Sequence, residues 1–240
     1  MIPYLRLELL RTLRSPAFAG YTIGFPVTFY LLFTTVFRNR PVQGVDFAAY
    51  YMASMAIYGA IGVALNSVGA RIALERTRGW TRQLALSPLR PGSYIAVKVV
   101  SAGILSLPVV ALILLAGRFI NGVHLSWRTW LGLFPALWLG ALPFAALGIA
   151  IGYTFRDELA QAASLTTYFL LSVAGGLWMP VQAFPRWLAA VAKALPSYRA
   201  GELSWRLLQN HQPLGPGVII LAAWTTAFTC LAAWRYLRAR

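Results

Sequence analysis

Only six of the 240 residues are Asp or Glu, two are His and one is Cys. Each scarcity excludes a class of chemistry. The single cysteine, Cys230, forbids an internal disulfide and a cysteine-based metal site; within the last apolar stretch it reads as a small packing residue. His124 and His211 fall in loops between apolar stretches and form no pair with a nucleophile or metal. The carboxylates stand near the ends of those stretches, so the chain lacks the intramembrane Asp, Glu or His that ion-driven transporters use. No G-x-x-x-x-G-K-[ST] segment occurs, so no phosphate-binding loop is available to draw on a nucleotide. No catalytic residue and no metal site are therefore expected.

What is abundant is apolar. With 59% hydrophobic and 11% charged residues, a soluble domain of this size would be covered in apolar surface. Six stretches have about the 20 residues a spanning helix needs. They run from Ala17 to Phe37, Ala48 to Ala70, Tyr94 to Gly117, Trp130 to Phe155, Leu159 to Met179 and Gly217 to Trp234. The first is longer than a signal-peptide core and no small-residue cleavage site follows it, so it reads as a retained helix. Six spans occupy about half the chain and leave no room for a separate catalytic or binding domain. The expected architecture is a single all-α membrane domain over 1–240 with six transmembrane helices.

The formal net charge of +15 invites a nucleic-acid reading. The basic residues instead form short blocks between apolar stretches, which membrane topology explains better. With both termini in the cytoplasm, thirteen Lys or Arg lie inside and eight outside, the orientation favoured by the positive-inside rule. The expected location is the cell's inner membrane, with lipids as neighbours and no nucleic acid bound.

Local patterns add detail. Ile2, Leu5, Leu9 and Leu13 recur at helical spacing, with Tyr4, Glu8 and Arg11 on the opposite face. Residues 1–16 thus predict an amphipathic helix on the inner surface. Pro26, Pro108, Pro135 and Pro143 predict bends within spans. Gly20 with Gly24, and Gly148 with Gly152, suit close helix approach. Asn66, the most polar side chain deep in a span, is expected to make an interhelical hydrogen bond, with ligand contact as the alternative. Trp127, Trp130, Trp178 and Trp187 predict an interfacial belt. Asp157 and Glu158, beside Arg156, suit a helix start rather than chemistry.

Two segments are longer or more broken than connections require. In 71–93, RIALERTRGWTRQLALSPLRPGS, the helix is expected to continue through Glu75 and Arg76 and to end at Gly79. A short helix from Trp80 to Leu86 is then expected to stop at Pro88 and Pro91. Glu75 can pair with Arg71, Arg76 or Arg78, or meet a basic pocket on a partner. In 175–202, Gly175, Gly176 and Pro180 break the fifth stretch. A short helix then starts near Pro185, carries an apolar stripe of Trp187, Leu188, Val191 and Leu195, and closes at Pro196.

This order of segments resembles the integral membrane subunits of type-2 ABC exporters over essentially the whole chain. Glu75, Arg76, Gly79, Pro88, Leu89 and Lys98 match that family's Glu-Arg-x-x-Gly core with its later Pro-Leu and Lys, while Trp80 replaces a frequent Thr. Gly175, Gly176, Pro180, Pro185, Trp187, Leu188 and Pro196 match the outer pattern. The resemblance implies a permease that pairs with a second copy or a similar subunit and with cytosolic ABC subunits. ATP and magnesium would belong to those partners, and this chain would bind no cofactor. It also implies that 71–93 couples to the ATPase and that 175–202 is an outer re-entrant gate. Tyr51, Met55, Tyr58, Phe169 and Asn66 are candidates to line a path for a hydrophobic or amphipathic compound. A glycan or lipid-linked saccharide is the alternative cargo; a polytopic membrane enzyme and a non-transporting scaffold are the remaining readings.

Overall fold

A computed structural model describes residues 2–14, 18–37, 41–79, 91–212 and 215–239. Its secondary structure is helical apart from one isolated bridge between Val42 and Val45. In chain order the helices are α1 (Ile2–Leu13), a π-helical turn (Phe18–Gly24), α2 (Phe25–Val36), α3 (Phe47–Asn66), α4 (Gly69–Thr77) and α5 (Pro91–Phe119). Then follow α6 (Trp127–Thr154), α7 (Asp157–Ala174), a 3-10 turn (Val181–Ala183), α8 (Arg186–Ala194), α9 (Pro196–Leu208) and α10 (Gly217–Arg238). Among the described residues, four helical segments are long and apolar enough to cross a membrane: Phe47–Thr77, Ser93–Phe119, Trp127–Thr154 and Gly217–Arg238. The first stretch instead contains a shorter apolar helix, Thr22–Val36. The fifth forms α7, whose first turns carry Asp157, Glu158 and Gln161.

The organising element is α3, buried from Phe47 to Leu65. Its sequence explains that position. Ala and Gly recur along it, and lipid tails offer no hydrophobic gain between helices, so the helix that packs closest is the one with small residues. A Cβ on Gly59 would stand 2.6 Å from Val109 Cγ1, and one on Gly62 2.8 Å from Tyr168. Around α3 stand α2, α5, α6, α7 and α9. Trp205 on α9 reaches in to stack on Tyr50, with centroids 5.0 Å apart, and donates its Nε1 proton to Ser54 Oγ at 3.0 Å.

Gly148 and Gly152 do admit close approach. A Cβ there would lie 3.0 Å from the Leu65 carbonyl oxygen and 2.6 Å from that of Gly69, respectively, so α6 runs against the α3–α4 junction. Gly20 faces open space and makes no such contact. Pro108, Pro135 and Pro143 lie inside α5 and α6. Pro26 falls in the first turn of α2, where its missing N–H is no loss.

Of four further expectations one is corrected, that of Cys230 as a small packing residue. Trp178 follows the end of α7. It packs among Phe25, Phe29, Tyr58 and Phe169, at 5.0–5.8 Å between centroids, because Gly175 and Gly176 turn the chain back over α2 and α3. Cys230 is exposed on α10 rather than packed. Pro91 opens α5, and the short helix it was expected to close lies outside the described residues. The expected short helix does start at Pro185, the N-cap of α8, and Pro196, besides closing it, begins the longer α9.

Candidate functional site

The site grows from the ends of three helices. α4 continues α3 past a two-residue break at Ser67 and Val68 and carries Arg71 and Glu75 one helical turn apart. It stops at Thr77, and Gly79 then takes φ +72°, a left-handed conformation that glycine adopts at little cost. This matches the expected helix end. Residues 80–90, and with them Trp80, Pro88 and the short helix from Trp80 to Leu86, lie outside the described residues. The chain returns at Pro91 in α5, whose first turns hold Tyr94 and Lys98.

Lys98 has a side chain only 1% exposed, and its Nζ donates to Glu75 Oε1 and to Glu8 Oε1, both at 2.7 Å. Tyr94 donates its hydroxyl proton to the other Glu75 oxygen at 2.6 Å. Arg71 completes the group: its Nε lies 3.3 Å from Glu8 Oε1 and 3.9 Å from Glu75 Oε1, and its Nη1 donates to Thr12 Oγ1. Two buried carboxylates and two cations from α1, α4 and α5 therefore balance in charge. Such a group holds only while it is complete, because the partner left behind by a deletion is a desolvated charge.

Arg76 turns the other way along α4. Its Nη1 donates to the Gly152 carbonyl oxygen at 2.9 Å, and its guanidinium lies 5.1 Å from the Tyr153 ring centroid. The end of α6 is thereby tied to the same helix. Thr77 and Arg78 remain exposed.

Glu8 is the member of this group that periodicity misassigned. It was expected opposite the apolar stripe, on the polar side of a surface helix, but Glu8 and Thr12 are buried against the bundle while Leu7 and Leu10 are exposed. The reason is the waiting pair of cations on α4 and α5. Arg71 and Glu75 at i,i+4 signalled a local pair in the sequence; nothing local signalled that Lys98 and Glu8 would complete it.

At the opposite end, Gly175 and Gly176 leave α7, and Gly176 has φ +77° with Val181 packed against it. Ser197, directly after Pro196, donates to the Leu171 carbonyl oxygen. The structure thus brings Gly175, Gly176, Pro196 and the 3-10 turn after Pro180 together. Trp187 stands apart, 69% exposed, as does Val191 at 50%; the inward contact of α8 is made by Ala192.

The candidate path residues divide. Tyr51 and Met55 are almost fully buried within the chain, and so is Tyr58. Tyr51 stacks on Phe33 and Phe47, and Tyr58 stacks on Tyr168 at 4.5 Å. Phe169 is half exposed on α7 and borders Trp178. Asn66 does not form the interhelical hydrogen bond expected of it: its Nδ2 donates to the Gly62 carbonyl oxygen of its own helix at 3.0 Å. A short polar side chain on a helix can bond the carbonyl one turn back in this way. No group of three or more His, Cys, Asp or Glu suited to a metal occurs among the described residues.

A multi-pass helical membrane protein with a charge-balanced, buried lock at the root of the 71–93 connection is the class these features define. Residues 33–234 match the model of the ABC-2 family transporter proteins. The chain is also 31% identical over 233 residues to YvfS of Bacillus subtilis (strain 168), named as a transport permease, covering 96% of this chain and 94% of that one. The chain belongs to the ABC-2 transporter family. It is a membrane permease of an ABC transporter, and that membership implies association with an ATP-binding ABC subunit.

Proposed function

We propose that this permease exports a hydrophobic or amphipathic compound, drug-like or lipid-like, using ATP hydrolysed by a separate cytosolic subunit. It crosses the membrane six times, with α2 and α7 completing the set, and both termini lie in the cytoplasm of the cell's inner membrane. α1 rests on the inner surface. A second copy or a similar subunit faces it, and the outward side of α7, with Phe169, borders the path between them. The segment from Gly175 to Pro196 is the outer re-entrant gate.

The observation that carries this reading is the buried network of Glu8, Arg71, Glu75 and Lys98. It joins α1 and α5 to the root of the 71–93 segment, so a push on that segment moves three helices as one body. Glu75 acts by positioning. Both of its oxygens are occupied internally, which leaves exposed Arg78 and the residues after it to meet the ATPase.

The test is a Glu75→Ala variant purified with its ATPase and reconstituted in vesicles, with assembly verified by size and stoichiometry. Transport per ATP hydrolysed should fall at least tenfold while the partner ATPase keeps its basal rate. Undiminished export per ATP would refute the coupling role.

A further inference from the structure

On the side of the bundle away from α7, a groove of about 690 Å³ runs between α5, α6, α9 and α10. Ile95 and Val99 form one wall, Leu139 and Ile149 the floor, and Val218 through Tyr236 the other wall. Thr225, Thr229 and Tyr236 supply the lining's only polar side chains, and each threonine sits on a helix. Thr225 already donates to the Leu221 carbonyl oxygen and Thr229 to that of Thr225, so the groove offers almost no free polar group to a ligand. At 1.5 Å per helical residue, Val218 and Tyr236 stand about 27 Å apart, close to the ~30 Å hydrocarbon thickness of a bilayer. Three of its four walls are the spanning segments Ser93–Phe119, Trp127–Thr154 and Gly217–Arg238.

The groove's end near Tyr236 is marked by aromatics and cations. Tyr153 and Tyr236 meet edge to face at 5.3 Å, and Trp234 carries Arg235 at 4.6 Å and Arg238 at 4.3 Å from its centroid. Amphipathic rings of this kind sit at headgroup level. Arg235 is beside the groove-lining Tyr236 and Ala232 on α10. Its Nε is shielded from solvent and has no hydrogen-bond partner among the described residues, nor does any described carboxylate pair with it. Arg235 and Arg238 therefore place two guanidinium groups at this end with no described carboxylate paired to either, and a phosphate is an anion that such groups recognise well.

We infer that this groove is a binding site for an anionic phospholipid, with an acyl chain along α10 and the phosphate at Arg235. The length, the apolar lining and the cations without a described carboxylate at one mouth match that molecule in order. A second copy of the chain would cover the groove without needing a negative charge at Arg235, and a zwitterionic lipid would supply the chain with a weaker headgroup contact. The bound lipid is a resident one and the inference is independent of what the permease transports.

The experiment uses the full chain in nanodiscs containing phosphatidylglycerol or phosphatidylcholine that bears a diazirine in one acyl chain. Irradiation followed by peptide mapping should label α10 between Val218 and Tyr236, and Ile95 to Val99, in preference to the exposed face of α7. Native mass spectrometry should show one phosphatidylglycerol retained per chain, with about tenfold weaker retention in Arg235→Ala. Ala222→Phe, which fills the groove, should remove the label while the protein elutes unchanged. Equal labelling of α7 and α10, equal retention of the two lipids, or retention unaffected by both substitutions would overturn the inference. So would a crosslink between copies through α10 that shuts the lipid out.

Discussion

Replacing Lys98 by Met tests the charge lock most directly. Methionine keeps the length and apolar stem of lysine and removes only the ammonium, which is 1% exposed and lies 2.7 Å from two carboxylate oxygens. Afterwards Glu8 and Glu75 face each other with Arg71 alone, 3.3 Å from one and 3.9 Å from the other. Breaking a buried pair from one side costs about 3–5 kcal/mol, a large share of the ~5–15 kcal/mol that holds a typical domain together. Glu8→Gln should cost less, about 1–3 kcal/mol, because Lys98 and Arg71 retain Glu75. Combining the two removes one charge of each sign and leaves Glu75 with Arg71. The double variant should therefore be more stable than Lys98→Met alone, with a coupling of about 1–3 kcal/mol. Denaturant unfolding in detergent, followed by tryptophan fluorescence, measures the three differences. Hydrogen exchange over residues 2–14 measures whether α1 lets go, which it should in both single variants. A Lys98→Met protein within 0.5 kcal/mol of the parent, or strict additivity in the double, would refute the lock.

Two further expectations rest on packing. Gly152→Ala should destabilise by about 1–3 kcal/mol, since its Cβ would come within 2.6 Å of a backbone carbonyl oxygen on α4; Gly20→Ala, with open space around it, should stay within about 0.5 kcal/mol, and thermal unfolding of both in one detergent decides. Trp205→Phe keeps the stacking on Tyr50 but loses the hydrogen bond to Ser54, and should lower stability by about 1 kcal/mol in the same assay.

The spans were legible wherever apolar composition and length coincide, as in the helices at 93–119, 127–154 and 217–238. Glycine at 79 and 176 was legible as an end or a break because a positive φ narrows the choice of residue. Less could be read where the deciding contact is remote. Nothing local in the sequence shows that Trp178 joins an aromatic group from α2, α3 and α7. α9 was missed as an element because Pro196 reads equally well as a stop and a start. The α7 stretch, with acids and Gln161 in its first turns, shows that an apolar run in sequence and a fully apolar helix are different things.

Glu8 is the most instructive case. An amphipathic pattern separates apolar from polar residues but does not say which side meets protein. The buried face of α1 runs between the two sides, with Glu8 and Thr12 buried, Leu9 packed against the core and Arg11 exposed. The choice is then made by what the bundle presents, here Lys98 and Arg71, distant in sequence but joined to the same two helices by tertiary packing. The chain has twenty-one basic residues and six acidic ones, so an unpaired carboxylate would seldom be short of a cation at the surface. Two of the six nonetheless meet on one buried lysine, where desolvation makes pairing obligatory rather than optional. That placement, more than any single match in the sequence, identifies the end of the molecule where α1, α4 and α5 are joined.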